Sequence, residues 1–268
     1  MTSIKLRKVT LNDGVRVPVL AFGTGSATFQ KSCKDVVKMA YGEVHMRHLD
    51  CAEWYRNEED VGAVLKELNV ERKEVFITTK CGDEPIDGLT DPRESLTRSL
   101  QLLGLEYVDL YLIHSPEFVK NFGLSKAWST MEALQREGEA KSIGVSNLPI
   151  SDMEEFLKNA KIEVHPYVYG KVKPLIDFCQ TNGISVESYG PLASLSMYPG
   201  GPVDGVVSDI AHQLGASEGQ VLLNKSERLE GHIKAFTEMG DLSDAHIKAI
   251  EEAGNKSPQP LRIPHMNQ

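Results

Sequence analysis

The sequence predicts an α/β fold of the (β/α)8-barrel type, with an N-terminal β-hairpin, as one domain over residues 1–268. Short β-branched apolar runs alternate with amphipathic helical segments, which is typical of parallel sheets with right-handed crossovers. A length of 268 residues suits one such barrel. The nearest match to a dinucleotide-binding fingerprint, Gly23-Thr-Gly-Ser-Ala-Thr28, lacks the third glycine, and this disfavours the open doubly wound sheet.

Each element follows from its local pattern. The Asn12-Asp-Gly14 turn sequence lies between alternating residues and predicts a hairpin over Val9–Val17. Short apolar runs predict seven barrel strands, near Leu20, Met46, Val75, Val108, Ser142, Ile162 and Ile184. Asp91 before Pro92 predicts the start of a helix, and Gly104 predicts its end. Further helices are predicted over Glu58–Leu68, Ala127–Glu137, Ser151–Lys158, Lys173–Asn182, Val206–Leu214 and Ser243–Ala253.

An eighth barrel strand lacks residues of its own. It should precede Asn224, but Val221-Leu-Leu223 runs directly into Asn224-Lys-Ser226. Removing one strand from a barrel leaves two strand edges with unpaired amides and carbonyls. Three interpretations stay open: the barrel is open, another segment fills the gap, or the chain is a deletion variant of a longer sequence. Residues 257–268 hold three prolines and are expected to form a loose tail.

Charge and composition narrow the function. The chain has 29 Lys and Arg against 38 Asp and Glu, a net charge of −9. This balance disfavours nucleic acid and anionic membrane surfaces as partners. No apolar run approaches the ~20 residues that span a bilayer, and no signal peptide is visible, so a cytoplasmic protein is expected. The cysteines form no CxxC pair, which predicts reduced thiols and no metal site: Cys33, Cys51, Cys81 and Cys179.

Four ionisable residues lie at or just after the ends of consecutive predicted strands: Asp50, Tyr55, Lys80 and His114. In a parallel barrel these ends meet at one face, where active sites form. A phenol has a pKa near ~10, but a neighbouring ammonium favours its anion, and a carboxylate keeps that ammonium charged. Asp, Lys and Tyr therefore suit proton donation to a carbonyl, with His orienting the carbonyl oxygen. The hydride must come from a nicotinamide cofactor, since no side chain donates one.

Each of these residues also has a structural interpretation. Lys80 could be a solvated residue at a strand end, and His114 a structural histidine. Asp50 could cap the next helix, and Tyr55 could pack beside Trp54. Spacing alone does not choose between the two sets of interpretations.

Four segments carry a resemblance to a known family. They are His48-Leu-Asp-Cys-Ala-Glu-Trp-Tyr-Arg-Asn-Glu58, Phe76-Ile-Thr-Thr-Lys80, Leu103-Gly-Leu-Glu-Tyr-Val-Asp-Leu-Tyr-Leu-Ile-His-Ser-Pro116 and Lys141-Ser-Ile-Gly-Val-Ser-Asn147. Together they resemble the aldo-keto reductases, in particular the fungal-type NADP-dependent aldehyde and ketone reductases. The similarity runs from Val9 to Ala253 in the family's order.

The resemblance implies reduction of a small-molecule carbonyl with NADP(H), by a monomer, with the four residues above as the catalytic set. Ser146 and Asn147 would bind the nicotinamide carboxamide, and Tyr189 would stack on its ring. The remaining implied cofactor residues include a pyrophosphate path and a basic pair for the 2′-phosphate: Thr24, Asp50, Gly190, Pro191, Leu192, Ser194, Lys225 and Arg228.

The chain departs from the family in three places. Arg56 replaces the usual glycine after the catalytic tyrosine, Lys161 replaces a glutamine that contacts the carboxamide, and the eighth strand is missing. Arg56 would narrow the pocket mouth, select acidic substrates or simply face water. The departures leave an alternative function, a catalytically impaired cofactor-binding or structural barrel protein. A weaker alternative is a barrel lyase or hydrolase that uses Lys80 as a Schiff base.

Overall fold

The computed structural model describes residues 8–82, 88–149, 159–229 and 242–260, with the backbone alone for 159–162 and 224–229. The chain divides into two compact units, residues 1–146 and 147–268. The organisation as one domain over residues 1–268 stays a prediction.

The predicted hairpin is confirmed. Strands β1 (Lys8–Thr10) and β2 (Arg16–Pro18) pair antiparallel, with Val9 opposite Val17. Gly14 takes a φ of 89° in the turn, a conformation that glycine adopts without a steric penalty. The apolar side of the hairpin packs against two barrel strands, in a cluster of Leu11, Val17, Phe76, Leu110 and Leu112.

Five parallel strands follow in the first unit, each paired with the next in chain order. They are β3 (Phe22–Gly23), β4 (His48–Asp50), β5 (Phe76–Cys81), β6 (Val108–Ile113) and β7 (Ala140–Ser146). Every residue of β5 and β6 is buried, as expected for central strands with helices on one side and a packed interior on the other. The strands predicted near Leu20, Met46, Val75, Val108 and Ser142 are confirmed.

The helices of the first unit lie between these strands. They are α1 (Lys34–Lys38), which continues into a π-turn over Met39–Glu43, α2 (Glu58–Glu67), α3 (Pro92–Leu103) and α4 (Leu124–Glu137). The Asp91 side chain accepts a hydrogen bond from the Arg93 amide at 2.8 Å, and Gly104 ends α3 with a φ of 66°. Both predicted end signals of this helix are confirmed.

The second unit contains the parallel pair β8 (Asn159–Glu163) and β9 (Ser185–Tyr189) and five described helices. These are α5 (Tyr169–Thr181), α6 (Ala193–Ser196), α7 (Pro202–Leu214), α8 (Glu218–Leu229) and α9 (Asp244–Asn255). Helices α7, α8 and α9 share an apolar core that includes Tyr167, Val203, Val207, Val221, Leu242 and Ile250. The predicted helix Ser151–Lys158 lies outside the described residues.

The gap in the strand series is also present in the structure. Val221-Leu-Leu223 and Asn224-Lys-Ser226 lie in one continuous helix, α8, and in the described part of the chain no strand follows β9. Of the predicted tail, residues 257–260 are described, and the Gln259 amide donates to the Tyr167 carbonyl at 3.0 Å. The other eight residues of that tail lie outside the described part. None of the described helices is both long and apolar enough to cross a membrane.

Candidate active site

Three neighbouring strands bring the predicted catalytic residues together. Asp50 ends β4, Lys80 is the penultimate residue of β5, and His114 follows β6 directly. Tyr55 ends a short 3-10 turn, Glu53–Tyr55, that follows β4. Because β4, β5 and β6 are parallel and adjacent, their carboxyl ends lie at one edge of the sheet. All four side chains belong to the first unit.

The Lys80 ammonium is at the centre of this group. Its side chain is almost completely buried, and its Nζ donates to Asp50 Oδ1, to the Cys51 carbonyl at 2.6 Å and to the Tyr55 hydroxyl at 3.2 Å. A buried ammonium requires a paired carboxylate and satisfied hydrogen bonds, and both are present. Because the ammonium donates to the phenol oxygen, the phenol hydrogen is left to point at another acceptor.

The Tyr55 ring lies against a backbone with no side chain. A Cβ built on Gly25 would lie 2.5 Å from Tyr55 Cζ, so only glycine permits this approach. Hydrogen bonds also hold the residues around Tyr55 to the segment around Gly25. The Asn57 side-chain amide donates to the carbonyls of Thr24 and Thr28, both at 2.9 Å, and the Gln30 backbone amide donates to the Tyr55 carbonyl at 3.0 Å.

His114 is buried beside the tyrosine. Burial, and secondarily the charge of Lys80, hold the pKa of His114 well below its usual range, so its imidazole is neutral at neutral pH. The ring centroids of Tyr55 and His114 are 5.5 Å apart at an interplanar angle of 83°. Trp54 and Phe118 also pack on His114, with ring centroids 5.6 Å away in each case. A neutral imidazole can donate a hydrogen bond from its N–H to a carbonyl oxygen although the ring carries no net charge.

Two buried glutamates flank the tyrosine in the sequence. Glu53 accepts from Ser95 Oγ at 2.6 Å, from Arg98 Nε at 2.8 Å and from the Gly82 amide at 3.3 Å. Glu58 accepts from Thr79 Oγ1 at 2.5 Å and from Ser99 Oγ at 2.9 Å. Burial raises the pKa of Glu58 to about 7, against the opposing effect of its two hydroxyl partners.

Some of the residues predicted to hold the cofactor belong to the first unit and the others to the second. In the first unit, Thr24 is buried and its amide donates to the Asp50 carbonyl at 3.0 Å, and Ser146 ends β7. In the second unit, the Tyr189 hydroxyl donates to Asn147 Oδ1 at 2.7 Å, which fixes both side chains.

The predicted pyrophosphate segment follows β9. Gly190 has a φ of 70°, Leu192 precedes α6, and Ser194 is fully buried within that helix. The Ser194 hydroxyl has no hydrogen-bond partner among the described residues. A buried hydroxyl without a protein partner is expected where a ligand binds. Lys225 and Arg228 belong to the later turns of α8, and their side chains lie outside the described residues.

Comparison with known proteins decides the family. Residues 19–202 match the family model described as the aldo/keto reductase family. The chain is an aldo-keto reductase. An NAD/NADP-dependent indole-3-acetaldehyde reductase of Schizosaccharomyces pombe is 41% identical over 78% of each chain. A glycerol 2-dehydrogenase (NADP(+)) of Saccharomyces cerevisiae is 31% identical over 97% of this chain and 94% of its own.

A solved structure supports the same assignment. A crystal structure of an aldo/keto reductase from Brucella melitensis superimposes with a TM-score of 0.76 at 28% identity, over 93% of this chain and 100% of that one. The predicted family, the barrel-type α/β fold and an NADP(H)-linked oxidoreductase acting on carbonyls are therefore confirmed at the level of the family.

The structure also describes the position at which this aldo-keto reductase departs from its family, residue 56. Arg56 has a φ of 57° and a ψ of 32°, the left-handed conformation for which glycine is favoured. Its side chain lines a cleft of about 200 Å³ with Glu59, Arg98 and Leu102, which belong to α2 and α3. This cleft also includes Glu53 and Glu58, the glutamates behind the tyrosine turn. Of the expectations for Arg56, a position facing water is supported, since the residue is exposed.

Sequence reasoning missed Gly25, Asn57, Glu53 and Glu58. Gly25 lies in the segment that partly matches a dinucleotide-binding fingerprint, whereas in the structure its lack of a side chain leaves room for the Tyr55 ring. The two glutamates flank the tyrosine closely, but nothing in a single sequence distinguishes a buried glutamate from a solvated one.

Proposed function

We propose that this aldo-keto reductase reduces an aldehyde or ketone to the alcohol, with Tyr55 as the proton donor. The observation that carries the proposal is the Lys80 ammonium, which is bonded both to the Asp50 carboxylate and, at 3.2 Å, to the Tyr55 hydroxyl. A positive charge held beside a phenol oxygen stabilises the phenolate that remains after the proton has left.

The other roles follow from position and charge. Asp50 compensates the Lys80 ammonium inside a buried environment, so the charge stays available to the phenol. His114, neutral and beside the tyrosine ring, donates a hydrogen bond to the same substrate oxygen and orients it. NADPH, when held by the residues proposed below, would supply the hydride that the carbonyl carbon accepts. The aromatic rings that pack on Tyr55 or on His114, namely Phe29, Trp54 and Phe118, favour an aromatic aldehyde as the first substrate to assay.

We further propose that NADP(H) is held by the residues that the family resemblance implies. The buried Ser194 hydroxyl supports this, because it lacks a partner among the described residues. The Tyr189–Asn147 hydrogen bond supports it also, because it orders two of the predicted nicotinamide contacts. The proposed set is Thr24, Asp50, Ser146, Asn147, Tyr189, Gly190, Pro191, Leu192, Ser194, Lys225 and Arg228.

Tyr55→Phe tests the proton donor. It removes one oxygen and leaves the ring against Gly25, so we expect kcat to fall by about 100-fold or more with NADPH affinity unchanged. Turnover is measured as NADPH consumption with an aromatic aldehyde, and affinity as quenching of protein fluorescence. Wild-type turnover by this variant would exclude the mechanism.

Tyr107→Phe is the matched control. The Tyr107 hydroxyl also accepts from a lysine, Lys141 Nζ at 3.1 Å, but Tyr107 immediately precedes β6 and so lies at the opposite end of the strands. We expect its kcat to equal that of the wild type. NADPH binding without turnover by the wild type would instead favour the alternative of an impaired cofactor-binding protein.

We propose a monomer in the cytoplasm, as the sequence predicts. The net charge of −9 supports a protein that does not adsorb to anionic surfaces. Light scattering coupled to size exclusion measures the mass in solution, and a dimer would contradict the first part. Cell fractionation with an antibody to this chain tests the second.

A further inference from the structure

We propose that Glu58 is a positioning residue that holds Lys80 at hydrogen-bonding distance from Tyr55, acting through Thr79. This inference rests on the proposed function, because it assigns importance to the Lys80–Tyr55 contact. Glu58 itself does not touch the reacting groups.

Glu58 joins three elements behind the active site. It is the first residue of α2, three positions after Tyr55, and its side chain is buried. Its two carboxylate oxygens accept from Thr79 of β5 and from Ser99 of α3. The start of α2, which is continuous with the tyrosine turn, is therefore bonded directly to the strand that carries the lysine.

Thr79 is the link to the lysine. Successive side chains of a strand point to opposite faces, so Thr79 faces the helices while Lys80 faces the sheet interior, where it meets Asp50. The hydrogen bond from Thr79 to Glu58 fixes where β5 lies relative to α2, and so fixes the position of Lys80. The Lys80–Tyr55 distance of 3.2 Å is at the long end of useful hydrogen bonds, where small displacements weaken the contact.

Stability alone does not explain a carboxylate at this place. In the described part of the chain both oxygens of Glu58 accept from hydroxyls, and no lysine or arginine forms an ion pair with it. Burial raises its pKa to about 7, which reports that the ionised group is held at an energetic disadvantage. Apolar side chains of similar volume often stabilise such sites equally well. What the carboxylate contributes is a fixed position, because its two short hydrogen bonds hold β5 and α3 in place.

The test compares the two hydroxyls that bind the same carboxylate. Thr79→Val and Ser99→Ala each remove one buried hydroxyl from Glu58, so both should lower the melting temperature comparably. Only Thr79 adjoins Lys80. We expect Thr79→Val to lower kcat by about five-fold, the effect of losing one hydrogen bond, and Ser99→Ala to leave kcat within about two-fold of the wild type. Thr79→Ser, which keeps the hydroxyl, should restore turnover. Should Thr79→Val not fold, Thr79→Ala makes the same comparison.

The outcomes separate this inference from the proposed function. With Tyr55→Phe inactive, equal kcat values for Thr79→Val and Ser99→Ala would overturn the positioning role while leaving the function intact. With Tyr55→Phe fully active, both would fall. A lower kcat for Thr79→Val alone, with KM and NADPH affinity unchanged, supports the role of Glu58, because a purely structural contact would not distinguish the two hydroxyls.

Discussion

Gly25 controls how closely the backbone approaches the proposed proton donor, and Gly25→Ala is the sharpest perturbation of the site. A Cβ on this residue would lie 2.5, 2.7 and 2.8 Å from Cζ, Cε2 and Cε1 of the Tyr55 ring. Carbon atoms in contact are normally about 3.5 to 4.0 Å apart. The ring must therefore retreat by about 1 Å, and the hydroxyl moves with Cζ.

That displacement is large relative to the contact it disturbs. The Tyr55 hydroxyl is 3.2 Å from Lys80 Nζ, and a displacement of about 1 Å is enough to disrupt a hydrogen bond of this length. A misplacement of about 1 Å lowers enzymatic rates by up to about 100-fold, or about 3 kcal/mol in the barrier. Gly25 does not have a positive φ, so alanine fits its backbone and the protein should still fold.

Gly23→Ala is the control. A Cβ on Gly23 meets no heavy atom within 4 Å, although the residue is only two positions away. We expect Gly25→Ala to lose about 100-fold in kcat, and Gly23→Ala to stay within about two-fold, in the same NADPH-consumption assay. A crystal structure of Gly25→Ala should show the displaced ring. Turnover by Gly25→Ala at the wild-type rate would refute the argument that the ring position governs the reaction.

Two further predictions concern stability. Arg56→Gly should raise the free energy of unfolding in urea by about 1 kcal/mol, because arginine is held at a φ of 57°; an unchanged value would contradict the strain at this residue. Glu58→Gln should flatten the pH dependence of stability. The raised pKa means that the contribution of Glu58 is complete below its ordinary value of 4.5 and is lost as pH rises through about 7. Between about pH 5 and pH 8, the free energy of unfolding of Glu58→Gln should therefore rise relative to that of the wild type, by up to about 3 kcal/mol, with Glu53 and Lys80 left unchanged. Parallel curves of unfolding free energy against pH for the two proteins would contradict this.

Much of the scaffold could be predicted because its signals are local. The Asp91-Pro92 start and the Gly104 end of α3 depend on residues that make or permit specific backbone geometry. The convergence of Asp50, Lys80 and His114 followed from topology, since parallel strands place their carboxyl ends at a common edge.

The rest depends on packing that no single sequence encodes openly. A glycine that admits an aromatic ring looks like any glycine in a turn, and Gly25 became informative only beside Tyr55. Glu53 and Glu58 are charged, and charged side chains are assigned to the surface unless their hydroxyl, amide and arginine partners are known. Those partners come from β5, from Gly82 directly after it and from α3, at sequence separations between 21 and 45 residues.

The last strand of the second unit has a consequence for how copies of the chain behave at high concentration. In the described residues no strand pairs with β9 on the side away from β8, and each of its five residues is only half-buried. A sheet edge of this kind is where another polypeptide adds a strand most readily. The strand is short and polar, Ser-Val-Glu-Ser-Tyr, and Glu187 would oppose an identical charge in any antiparallel self-pairing centred on it. The polar sequence of β9 and the charge of Glu187 thus oppose aggregation at this edge, a protection that a paired strand would otherwise provide.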